Sequence, residues 1–173
     1  EAGSARDGLH SVDCCSTLLE LTLSGVYASG ATDLSSMLSG CSSLQTLDLS
    51  GWEAASARDA LLSLESRSTL LELGLSGVYV SRATDLSRMF LGCSSLRTLD
   101  VSGWDVSSVK DFRSMFSGCS SLQSLDLSGW DVSNATQFGW GDQYDRCNGM
   151  FEGCSSLQTL DLSGWDVSSA TDL

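Results

Sequence analysis

A chain of 173 residues, 42% of them hydrophobic, with 9 basic and 22 acidic side chains and no proline, carries a formal charge of −13. That sign excludes nucleic acid and anionic membrane surfaces as partners, because both are held through a basic footprint. No apolar run approaches the roughly 18 residues of a membrane span, and nothing at Glu1 has the pattern of a secretory signal.

Along the chain one phrase recurs. Cys15 and Cys41 stand 26 residues apart, as do Cys93 and Cys119, and Arg67 occupies the position skipped between the two pairs. A fixed period of this length is the mark of stacked units, each burying its apolar side only against its neighbours. The expected units are 15–40, 41–66, 67–92, 93–118, 119–153 and a partial 154–173, one repeat array over 1–173. Glu1 aligns with Glu53, and the end at Leu173 matches Leu86 in mid-unit, so the array is expected to be a piece of a longer polypeptide.

The first expected strand holds Leu18, Leu21 and Leu23 at the L-x-x-L-x-L spacing, in which alternate residues of a short parallel strand point inward. The triplet returns as Leu44, Leu47, Leu49, then Leu70, Leu73, Leu75, then Leu96, Leu99, Val101. Leu122, Leu125, Leu127 and Leu157, Leu160, Leu162 complete six strands. After each strand a Ser-Gly pair turns the chain. The return arm from Thr84 reads as a short helix, with Thr84 as N-cap, Leu86, Met89 and Phe90 on one face and Gly92 as C-cap. The fold class is therefore an α/β solenoid of six parallel strands with short helices on the return arms. A longer amphipathic arm, 57–65, belongs to a second unit type, and 1–52 matches 53–104 at 37 of 52 positions. Such a duplication is a poor setting for a unique active site.

Trp52, Trp104, Trp130 and Trp165 fall at one repeat position, taken by Val26 and Val78 in alternate units, and are expected to pack as a ladder with each indole N–H on a carbonyl. Cys15, Cys41, Cys93, Cys119 and Cys154 form a second column, expected to be free thiols used for packing. The state of Cys14 and Cys147 stays open, with Cys119 or Cys154 as candidate partners of Cys147.

The feature outside the repeat is an insertion of nine residues at Gly139–Cys147. Insertions in repeats map to loops on one face. Trp140, Asp142, Tyr144 and Arg146 give this one the residue types of an interface hot spot, so they are the candidate partner-binding residues. The competing expectation is that its aromatics fold back on the stack. Asp100, Asp126 and Asp161, with Asp48, occupy the outward position between strand leucines, and Asp105, Asp131 and Asp166 follow the tryptophans. Such columns either share a hard cation such as calcium, with Asp100, Asp126 and Asp161 as its weak candidates, or serve as solvated turn-capping carboxylates. No dedicated calcium motif is present, no metal site is otherwise expected, and no cofactor is implied. The single histidine, His10, aligns with Leu62, and no nucleophile motif, phosphate loop or Cys-x-x-Cys occurs, so no catalytic residue is assigned and no enzyme is expected.

The stretch Gly-Cys-Ser-Ser-Leu-Gln-Ser-Leu-Asp-Leu-Ser-Gly-Trp-Asp-Val-Ser-Asn, followed by Met-Phe, resembles the 26-residue bacterial-surface-protein repeat of the BspA-like leucine-rich-repeat group. The resemblance is strongest over 84–173. It implies a right-handed leucine-rich coil, display on the cell surface or secretion, and adhesion or protein binding. The expected function is a non-catalytic protein-binding or scaffold module. The alternatives are a structural accessory subunit of a large assembly, in an organelle or elsewhere, and a cation-dependent surface adhesin.

Overall fold

The computed structural model describes residues 17–25, 27–28, 42–54, 68–78, 80, 82–139 and 149–173. Their strands are short because each unit offers only one L-x-L step to a sheet. They are β1 (Glu20–Thr22), β2 (Tyr27–Ala28), β3 (Thr46–Asp48), β4 (Glu53–Ala54), β5 (Glu72–Gly74), β6 (Thr98–Asp100), β7 (Ser124–Asp126) and β8 (Thr159–Asp161). Every pairing is parallel. Leu21 faces Leu47, Leu47 faces Leu73, and Leu73 faces Leu99, each one period along. Leu125 faces Leu160, which absorbs the insertion. All six expected strands are present, as β1, β3, β5, β6, β7 and β8, with β2 and β4 adding a minor parallel pair.

These six strands do not form one continuous sheet but two. One sheet runs β1-β3-β5-β6 and the other pairs β7 with β8. At the earlier step, the Leu75 amide donates to Asp100 O at 2.9 Å and the Gly77 amide to Ser102 O at 2.8 Å. No equivalent bonds run from Val101 and Gly103 to the following unit. Gly129, which breaks the column of close glycine contacts, meets nothing within 4 Å.

A second correction concerns the return arms: among the described residues there is no helix. Their amides explain why. Alternate amides leave the arm, with Leu86, Arg88, Phe90 and Gly92 donating to the carbonyls of Asp111, Arg113, Met115 and Ser117 in the next unit at 2.8–3.0 Å. The residues between them close tight turns, as with the Leu91 amide on Arg88 O at 3.0 Å and the Cys93 amide on Phe90 O at 3.1 Å. Donors spent across units cannot serve an i→i−4 ladder. Arg88 and Ser114 also have positive φ, 61° and 55°, which a right-handed helix does not admit. Gly92, expected to cap a helix, adopts φ 72° as a turn residue.

Between the two ladders lies one apolar column. Leu44, Leu47, Leu49, Leu70, Leu73 and Leu75 are buried from the strand side, and Leu86, Met89, Phe90, Phe112, Met115 and Phe116 from the arm. Each large side chain removed from water contributes about 1.5–3 kcal/mol. The aromatics stack unit on unit: Phe90 on Phe116 at 5.5 Å, Phe116 on Phe151 at 5.6 Å, Phe112 on Phe138 at 5.6 Å and Trp104 on Trp130 at 6.0 Å.

Candidate binding face

The repeat that points Leu47, Leu73 and the partly buried Leu99 inward on one side of the sheet necessarily turns their neighbours outward, because strand side chains alternate. Two parallel rows result. One runs Glu20, Thr46, Glu72, Thr98 and the other runs Thr22, Asp48, Gly74, Asp100. Across β3, β5 and β6 these rows border a groove of about 350 Å³ that ends at Ser124. Its polar lining consists of hydroxyls (Thr46, Thr98, Ser124) and carboxylates (Asp48, Glu72, Asp100), with no basic side chain; Arg97, one residue before β6, does not line it.

Gly74 is the irregular point. Aspartate occupies this column in β3, β6, β7 and β8, Thr22 stands there in β1, and Gly74 interrupts the run in β5. A Cβ at Gly74 would come within 3.0 Å of Asp48 Oδ1. That oxygen is fixed in place, since it accepts the Ser50 amide at 2.9 Å. The hydrogen bonds from Ser50 hold the Asp48 carboxyl below its ordinary value, so it is charged throughout the neutral range.

The same local geometry accounts for the aspartate columns. Asp100, Asp126 and Asp161 each accept the amide two residues on, at 2.9, 3.0 and 2.8 Å, from Ser102, Ser128 and Ser163. Asp105, Asp131 and Asp166 do so for Ser107, Ser133 and Ser168 at 3.0–3.1 Å. These are Asx turns, a polar side chain standing in for a missing backbone partner. Serine hydrogen bonds lower the Asp131, Asp161 and Asp166 carboxyls as well. Among the described residues no group of three His, Cys, Asp or Glu side chains could hold a metal ion.

The tryptophans belong to the interior. Trp52, Trp104 and Trp130 are buried. Trp104 Nε1 donates to Leu75 O at 2.8 Å and Trp165 Nε1 to Leu127 O at 2.9 Å, whereas Trp52 Nε1 is buried without a partner. Cys93, Cys119 and Cys154 are in no disulfide. Cys119 Sγ donates to Phe90 O and Cys154 Sγ to Phe116 O, both at 3.2 Å. Burial pushes the Cys119 thiol well above its ordinary value and raises that of Cys154, away from thiolate chemistry.

Trp140, Asp142, Tyr144 and Arg146, like Cys14, Cys15, Cys41, Arg67 and Cys147, lie outside the described residues. The root of the insertion is described, on the arm side, opposite the groove. Phe112 still donates to Gln137 O at 2.8 Å and Phe116 to Met150 O at 2.9 Å, so the stack resumes in register after the excess residues. The Phe138 and Gly139 amides both donate to Asp172 Oδ1, at 2.8 and 2.9 Å, which ties down the point of departure. Beside it Arg113 forms a forked ion pair with the buried Asp111.

A family model described as "Mycoplasma protein of unknown function, DUF285" matches residues 63–173, and the chain belongs to that family. No curated protein and no solved structure matches it. Among the described residues no helix is long and apolar enough to cross a membrane.

Proposed function

We propose that this chain is a leucine-rich-repeat solenoid of the BspA-like kind acting as a non-catalytic protein-binding module, with the strand face as its contact surface. The observation that carries the reading is the contrast between the two sides of the stack. Among the described residues the arm side spends its amides between units, its aromatics are interior, and the forked Arg113–Asp111 ion pair is satisfied internally. The strand side presents registered rows of hydroxyls and carboxylates along an open groove floored by Leu47, Leu73 and Leu99, and the polar side chains of those rows hold up no interior layer. Stacked repeats characteristically use such an extended face for binding.

Two variants test this in the native source. Thr98→Arg alters the middle of the groove on an exposed strand position, and Lys110→Glu alters an exposed position at the start of a return arm. The expected result is that proteins co-purifying with the chain are lost with Thr98→Arg and retained with Lys110→Glu. Retention with both variants, together with an assembly that fails only when whole units are removed, favours the structural accessory subunit instead.

A further inference from the structure

We infer that the strand face takes an extended, basic segment of a protein partner and seats one arginine or lysine side chain over Gly74. This rests on the protein-binding reading above and names the chemistry of its partner.

Charge comes first. The groove is lined by Asp48, Glu72 and Asp100 without a basic residue, on a chain of net charge −13. An acidic or phosphorylated partner is therefore repelled, and a cationic one is steered in.

Shape then separates a side chain from an ion. Asp48 and Asp100 stand two strand steps apart with Gly74 between them, a gap of about 9.6 Å at ~4.8 Å per strand. Calcium needs its oxygens at roughly 2.3–2.6 Å, so these two carboxylates cannot share one ion. A planar guanidinium, with donors on several edges, can approach Gly74, which has no side chain of its own, donate to Asp48 Oδ1 standing 3.0 Å from where a Cβ would be, and face Asp100 on the other side and Glu72 alongside. Thr46, Thr98 and Ser124 offer hydroxyls to the backbone of a segment running up the stack. From β3 to β6 that path is about 9.6 Å, which an extended peptide covers in roughly three residues.

Gly74 makes the inference testable in sign. Its φ lies outside the left-handed region, so the backbone admits a side chain there, although the Cβ would come within 3.0 Å of Asp48 Oδ1, which must shift to make room. Asp126 and Asp161 already stand in register in the β7–β8 pair, so aspartate beside aspartate is compatible with the stack. Gly74→Asp adds negative charge to the groove and fills the seat at once. If charge alone governed binding, this variant would bind cations more tightly.

The experiment titrates ¹⁵N-labelled chain with a blocked Ser-Arg-Ser-Arg-Ser-Arg peptide, with the corresponding glutamate peptide, and with calcium chloride. The arginine peptide should shift the amides of Thr46–Asp48, Glu72–Gly74 and Thr98–Asp100 and leave those of Leu86–Gly92 in place. Gly74→Asp should weaken it about tenfold, and Glu72→Gln, a change confined to an exposed side chain, about threefold. Tighter or unchanged binding by Gly74→Asp overturns the inference, as does equal binding of the glutamate peptide or a shift pattern covering both faces. If the arginine peptide fails while Thr98→Arg still releases the natural partner, the basic segment is wrong and the protein-binding reading stands.

Discussion

At the scale of single residues, equivalent positions of the repeat do unequal work, and the inequality can be measured. Trp104 and Trp52 are both buried at the same position, yet only Trp104 Nε1 has an acceptor, Leu75 O. Replacing Trp104 by Phe removes a made hydrogen bond, while replacing Trp52 by Phe removes a buried donor that has none. The first substitution should cost about 1 kcal/mol more than the second in urea unfolding, the net value of one hydrogen bond. Arg113 is the counter-charge of the buried Asp111. Arg113→Met should destabilise by about 1–3 kcal/mol, because it leaves a partly buried carboxylate unpaired, and Asp111→Asn in the same chain should recover part of the loss. The turn aspartates act together through pH. Asp48, Asp131, Asp161 and Asp166 all titrate below their ordinary value because serine groups hydrogen-bond their charged form. A lowered folded-state pKa gives stability that is in place above the unfolded value, about 3.9, and lost as pH falls through the lowered one. The unfolding midpoint should therefore hold from neutrality to about pH 4 and drop below it, and Asp131→Asn with Asp166→Asn should shrink that drop.

Among the elements, the strands were legible and the return arms were not. Leu96, Leu99 and Val101, with their five equivalents, mark a strand because an L-x-L step buries alternate residues whatever follows it. Leu86, Met89 and Phe90 have helical spacing, but an arm that alternates cross-unit bonds with tight turns sets the same residues facing inward. What decides between the two is whether amides are satisfied within the arm or by the next unit, and that depends on stacking rather than on local pattern. The split between β6 and β7 had no signal either, since Thr98-Leu99-Asp100 and Ser124-Leu125-Asp126 are nearly the same phrase. Hydrogen exchange checks this element directly: the Val101 and Gly103 amides should exchange much faster than those of Leu75 and Gly77, which are bonded to Asp100 O and Ser102 O. Equal protection at the four sites would show the sheet to be continuous. Of the candidate site, the aspartate column and its interruption at Gly74 could be read from the repeat. The groove could not, because it depends on how β3, β5 and β6 stack side by side, which no single unit specifies.

In the molecule as a whole, the arm side supplies cohesion and the strand side is the proposed contact surface. A stack whose units touch only their neighbours can vary its outward strand residues freely, since Thr98 and Glu72 support no interior layer, whereas Phe90 and Phe116 hold two units each. Cohesion through buried thiols predicts that Cys93 and Cys119 resist alkylation in the native state and react on unfolding, while the half-exposed Cys154 reacts at an intermediate rate. The division of labour is tested most directly by photo-crosslinking in the native source, with benzoylphenylalanine placed at Thr98 in one chain and at Lys110 in another. The account predicts a discrete protein adduct from position 98 that disappears in the Gly74→Asp background, and none from position 110. Adducts from position 110 alone would place the contact on the return arms and contradict it.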